Sequence, residues 1–400
     1  MTTMTISEIS AILGLLAAVL VLAELARKTR LPYPTLMVIG GLIISFIPGL
    51  PTPGFSPDLV FLVFLPPILY SAAWNTWLQD FRRHAVSISF LAVGLVLFTA
   101  VVVAQVATML IPGMSWWQGF LLGAIVSPPD AAAATAICQR LGVSRRIVTV
   151  LEGESLVNDA SGLIAYKVAL IVITKGIFSP GHAAWDLIVA AVGGVCMGLA
   201  VGFIFAQLHK RVREPAVTTA LTLIAPYAAY LISESFHVSG VLATVAAGLY
   251  VSRKSPEIFS ARARMQAVHV WELLMLLVNG AIFLLIGLQL ETVLSMVLAT
   301  NKYNWGQLIW YAVAVSLTVI VARLVWVACM SPVSRVLTPR AWREPPPSWQ
   351  HLSIIGWTGM RGIISLAAAL ALPLFTGDGE TFAYRELIIL LTFAVISRRW

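Results

Sequence analysis

Apolar stretches of membrane-spanning length recur along this 400-residue chain with no polar faces between them. Thirteen can be traced, at roughly 6–26, 34–48, 57–74, 84–111, 116–138, 147–174, 185–208, 215–236, 238–252, 268–298, 307–330, 350–373 and 385–397. A helix crosses the hydrocarbon core with about 20 apolar residues. Backbone in lipid must satisfy its own hydrogen bonds, so these stretches are predicted helices. Charged residues make up only 11% of the chain, against about 25% in soluble domains, which is too few to cover a water-facing surface. The fold class that follows is an all-α membrane protein of about 13 transmembrane helices.

The net charge of +8 would suit a nucleic-acid partner, but its placement excludes one. Twenty of the 26 Lys and Arg residues fall in alternate short loops, around Arg27, Arg82, Arg145, Lys210, Arg253, Arg335 and Arg398. The opposite loops hold only Lys175, Lys302 and Arg385. This asymmetry is the positive-inside pattern. It predicts an N-terminus outside and a C-terminus in the cytoplasm, in the inner (plasma) membrane. Cys138, Cys196 and Cys329 lie in or beside apolar segments and form neither metal spacing nor disulfide framework. The N-terminus lacks a basic n-region, so the first segment reads as a membrane helix, not a cleaved signal.

Two segments are interrupted. The fifth carries Ser127-Pro128-Pro129-Asp130, and the twelfth carries Gly356, Gly359 and Gly362 around Arg361. Proline removes backbone donors and glycine loosens a helix. Interrupted helices at corresponding places in two halves mark a transporter of inverted-repeat type, with segment 5 matched to 12 and 6 to 13. The last segment is short, and a truncated helix is expected there.

The sixth segment gathers Glu152, Glu154, Asn158 and Asp159. Ionisable groups inside a membrane helix are costly and read as functional. Helical spacing puts Ser155 and Asp159 on one face and Glu154 and Asn158 on its neighbour. A hard cation takes carboxylate, hydroxyl and carbonyl oxygens, and the Ser155/Asp159 face offers two such side chains for sodium. Glu152 fits a wetted helix end, since Arg145 and Arg146 are close. Asp130 fits the cap of a half-helix over 131–138. Arg361 cannot shed its charge and needs a carboxylate, with Glu154 first and Asp130 second in order. Lys167 is expected to snorkel to the interface. Glu24, Arg323, Glu272 and Glu291 read as interfacial. Gly194, Gly198 and Gly202 recur every four residues and predict close helix packing.

These segments resemble the cation/proton antiporter family, in the branch with bacterial and animal sodium/proton exchangers. GESLVNDASGL is similar to its sixth helix. FLPPILY, SPPDAAAATAI, LLVNGAIFLLIGLQL and GWTGMRGIISLA are similar to helices three, five, ten and twelve. The resemblance covers essentially the whole chain, 1–400, as a single transport domain. It implies thirteen helices with two discontinuous crossing ones. It also implies a homodimer, core helices over 84–174 and 307–397, and scaffold helices over 1–83 and 175–306. It implies that sodium and protons compete for Asp159, that Glu154 pairs with Arg361, and that exchange is electroneutral. Two residues depart from the pattern: Ser71 stands where many relatives carry an acid, and Pro129 replaces a threonine ligand before Asp130. The resemblance also implies a full thirteenth helix and often a cytoplasmic regulatory tail, against which the last segment here is expected to be a truncated helix.

The function expected is antiport of a monovalent cation, sodium first and potassium as the alternative, against protons, regulating internal pH and salt. Ion-site residues are Asp159, Ser155, Asn158 and Asp130. No cofactor is expected, the two ions being substrates. A passive pore would need a filter-like loop or charged ring, and none is seen. A non-transporting membrane protein is the other alternative, prompted by the short last segment. An enzyme is not expected, since no catalytic set, metal motif or phosphate loop occurs.

Overall fold

The computed structural model describes residues 6–29, 33–47, 57–76, 81, 83–130, 138, 143, 145–175, 180–299, 303–336, 356, 360–361, 363–375 and 381–397. Thirteen helices are present among them: α1 (Ile6–Thr29), α2 (Tyr33–Ser45), α3 (Pro57–Asn75), α4 (Ala85–Leu110), α5 (Trp116–Val126), α6 (Arg145–Lys175), α7 (Pro180–Arg211), α8 (Pro215–Ser235), α9 (Gly240–Ile258), α10 (Ala261–Ala299), α11 (Trp305–Val336), α12 (Ile363–Leu370) and α13 (Arg385–Ser397). Each falls on one of the thirteen apolar segments. Seven contain spans long and apolar enough to cross a membrane, and the helical parts Tyr33–Ser45, Leu62–Asn75 and Trp116–Val126 are shorter apolar helices.

Local sequence explains several boundaries. Ser115 and Gln118 form a reciprocal capping box at the start of α5, with bonds of 3.3 and 2.8 Å. Ser239 caps α9 by accepting from the Leu242 N–H. Pro215 opens α8, where its missing N–H costs nothing. Within α4, Phe90–Leu95 forms a π-turn.

Packing falls into two groups. In one, α7 lies on α9, α2 on α10, α3 on α9, and α8 between α7 and α9. Small residues allow this closeness. A Cβ at Gly198 would collide with the Ala243 carbonyl, and one at Gly194 would come within 2.5 Å of the Ser239 carbonyl. The four-residue glycine spacing is thus the contact face between α7 and α9. In the other group, α4 lies on α5 and α11, and α5 on α6. Leu121, Leu122, Ala100, Val103, Leu156 and Ala160 are among the buried residues there.

The two interrupted segments meet. Residues Pro129–Asp130 (β1) and Met360–Arg361 (β2) pair antiparallel, Pro129 opposite Arg361 and Asp130 opposite Met360. Extended backbone at membrane depth is tolerated only where protein or a water-filled cavity surrounds it. The discontinuous crossing expected from the sequence is therefore present. The half-helix expected over 131–138 lies, apart from Cys138, outside the described residues.

Candidate ion-binding site at the crossing

Helix α6 passes beside the crossing. Its four polar positions separate as helical spacing requires. Glu154 and Asn158 are buried, at 1% and 0% exposure, whereas Ser155 and Asp159 are partly exposed. The two faces therefore differ in burial as well as in direction.

Asn158 ties α6 to the break. Its Nδ2 donates to the Pro129 carbonyl at 2.7 Å, while its buried Oδ1 has no hydrogen-bond partner among the described residues. Four residues on, Gly162 faces Pro128, and a Cβ there would collide with the Pro128 ring. One turn further, the Tyr166 hydroxyl donates to the Ala371 carbonyl just past α12, at 3.2 Å. One face of α6 thus holds both interrupted segments, through Pro129 on one side and Ala371 on the other. The Ser155/Asp159 face lies next to this seam.

Glu154 has a buried partner on another helix. Arg323 of α11 grips its carboxylate in a fork, Nη1 to Oε1 at 2.6 Å and Nη2 to Oε2 at 2.9 Å. Both side chains are 1% exposed. A buried arginine suits such a planar two-point contact. Arg323, expected at the interface, is thus buried on Glu154, while the expected Glu154–Arg361 pair rests on a side chain outside the described residues. The side chains of Asp130 and Arg361 lie outside the described residues. The signal for Arg323 was in the sequence: it sits within an apolar segment, well inside α11, where a charge needs a buried partner.

A second feature went unread. Trp326, one turn from Arg323, donates its indole N–H to the Phe90 carbonyl at 3.0 Å. Its ring covers Gly94 and lies 5.1 Å from Phe98. A π-turn breaks the regular i to i−4 register, and here the indole takes up a carbonyl of that turn. Leu91, Leu95, Val150 and Val327 pack around it, joining α4, α6 and α11 next to the ion pair.

Among the described residues no group of three or more His, Cys, Asp or Glu side chains forms a transition-metal cluster. Ser155 and Asp159 offer a hydroxyl and a carboxylate, the oxygen types that hard cations take.

Comparison with known proteins places this arrangement. The sequence matches the family described as the transmembrane sodium/hydrogen exchanger over residues 14–398. It is 34% identical over 389 residues to an uncharacterised Na+/H+ exchanger of Mycobacterium tuberculosis, covering 96% of this chain and 70% of that protein. It is 29% identical to a sodium, potassium, lithium and rubidium/H+ antiporter of Bacillus subtilis, over 92% of this chain and 56% of that one. The fold is similar to that of a sodium proton antiporter of Methanocaldococcus jannaschii, with a TM-score of 0.75 and 21% identity over 97% and 96% of the two chains. The chain therefore belongs to the sodium/hydrogen exchanger family of integral membrane transporters.

Proposed function

We propose that Asp159 is the shared site at which a monovalent cation, sodium first, and a proton compete during antiport. The observation that carries this reading is the partly exposed Ser155/Asp159 face of α6, set beside backbone that Asn158 anchors at Pro129. Burial favours a neutral carboxyl and a bound cation favours an ionised one, so one group serves both ions in turn. Ser155 and backbone carbonyls near the break complete the ligand set, with Asp130 capping the half-helix that follows. Glu154 with Arg323 is structural and carries no transported ion.

Movement in this reading divides the helices into two bodies. Helices α4–α6 and α11–α13 form the core (84–174 and 307–397). Helices α1–α3 and α7–α10 (1–83 and 175–306) form the scaffold and the surface of a homodimer. Rocking of one against the other exposes the site alternately. The loop charges set the N-terminus outside and the C-terminus in the cytoplasm of the plasma membrane. Asn158 beside Asp159 leaves one carboxylate in the pair, which suits one-for-one, electroneutral exchange and a role in internal pH and salt balance.

The named breadth of the Bacillus relative supports a second reading, in which potassium or lithium is also carried. Proton flux in proteoliposomes against a cation series, with and without an imposed potential, separates these. Sodium-driven flux independent of potential is expected. Exchange that persists in Asp159→Asn overturns the site.

A further inference from the structure

Lys167 does not simply reach for an interface. It lies eight residues beyond Asp159 on α6, about 12 Å along the axis. Its Nζ stands 3.3 Å from Glu234 Oε1 near the end of α8, with the two side chains 60% and 34% exposed. The surrounding packing is uneven. Helix α6 packs closely on α4 and α5 and only sparsely on α3 and α9, while α8 is packed into α7, α9 and α10. The pair bridges two helices that are not closely packed on one another among the described residues. A charge within a membrane span is kept for a reason, and neither group belongs to the ion site.

Glu234 has a second resting place. The same Oε1 accepts the Gly240 N–H at 3.3 Å, and Gly240 opens α9, whose N-terminus favours a carboxylate. Glycine makes that seat possible: a Cβ at Gly240 would lie 3.0 Å from Glu234 Cγ and 2.9 Å from the Tyr230 carbonyl. If Lys167 moves away, Glu234 stays satisfied. Lys167 is exposed enough to exchange its partner for water. Such a contact is too weak for a permanent brace and right for one that must open.

We propose that Lys167 and Glu234 form a breakable latch between the ion-carrying helix and the scaffold, holding the arrangement seen here and parting when α6 moves. This rests on the reading above, that the core moves against the scaffold. The test needs no transport. A cysteine replaces Ser155 in a chain freed of Cys138, Cys196 and Cys329. In sealed vesicles of known orientation it is labelled from either face by a membrane-impermeant thiol reagent. Lys167→Gln removes one charge. Glu234→Gln removes the other and keeps the acceptor for Gly240. Each is expected to shift the ratio of labelling between the faces in the same direction, by up to about fivefold for an exposed pair. The double variant should match either single one, and Lys167→Arg should restore the original ratio. Labelling from both faces at a ratio that the variants leave unmoved, or shifts that add in the double variant, overturns the latch alone. Labelling from one face only in every variant overturns the moving-core reading with it.

Discussion

The Glu154–Arg323 pair allows a double-mutant cycle with an asymmetric outcome. Both side chains are 1% exposed and joined at 2.6 and 2.9 Å. Removing one partner of a buried pair costs about 3–5 kcal/mol, because the other charge is left uncompensated, while replacing both by apolar groups of similar volume is often neutral. The two single losses are not equivalent. After Arg323→Met the stranded carboxyl can take a proton and become neutral. After Glu154→Leu the stranded guanidinium cannot lose its charge. Glu154→Leu is therefore expected at the upper end of the range, roughly 5 kcal/mol, and Arg323→Met nearer 3. The double variant is expected to cost less than either. The coupling, at least about 5 kcal/mol, exceeds the few tenths that independent sites show. Thermal unfolding of the purified protein followed by tryptophan fluorescence would read this, at roughly 1 °C per kcal/mol for a chain of this size. Additive losses, or Arg323→Met costing more than Glu154→Leu, would refute the reasoning.

Three further outcomes follow from single contacts. Asn158→Ala deletes the donor to the Pro129 carbonyl and should cost about 1–3 kcal/mol in stability, with cation KM raised in proteoliposome exchange; an unchanged KM would separate Asn158 from the site. Trp326→Phe keeps a ring beside Phe98 but loses the bond to Phe90, so about 1 kcal/mol is expected, against about 3–5 for Trp326→Ala, both read by thermal unfolding. Gly198→Leu would drive a side chain into the Ala243 backbone and should separate α7 from α9 at a cost of at least about 1–3 kcal/mol, seen as earlier unfolding in detergent.

Much of the architecture was legible because it rests on local regularities. A backbone in lipid has to form helices, so the apolar segments located all thirteen. The Ser127–Asp130 prolines and the Gly356–Gly362 glycines marked where two helices would break. The 3.6-residue period separated Ser155 and Asp159 from Glu154 and Asn158, and the burial of the second pair follows that separation.

What the sequence by itself determined, then, is the helix inventory, the breaks and the two faces of α6. Each depends on neighbours within a few residues or on the solvent. Only the tertiary structure decided the partners. Glu154 could have met any cation facing it, and the approach of α11, 169 residues away, brought Arg323 to it. The same holds for Lys167, whose partner Glu234 is 67 residues distant, and for Trp326 against the π-turn of α4. Periodicity says which face a residue occupies, but not which helix will pack against that face. That choice is made by the packing of whole helices, through contacts such as Gly198 on Ala243 and Gly162 on Pro128, and no local pattern encodes it.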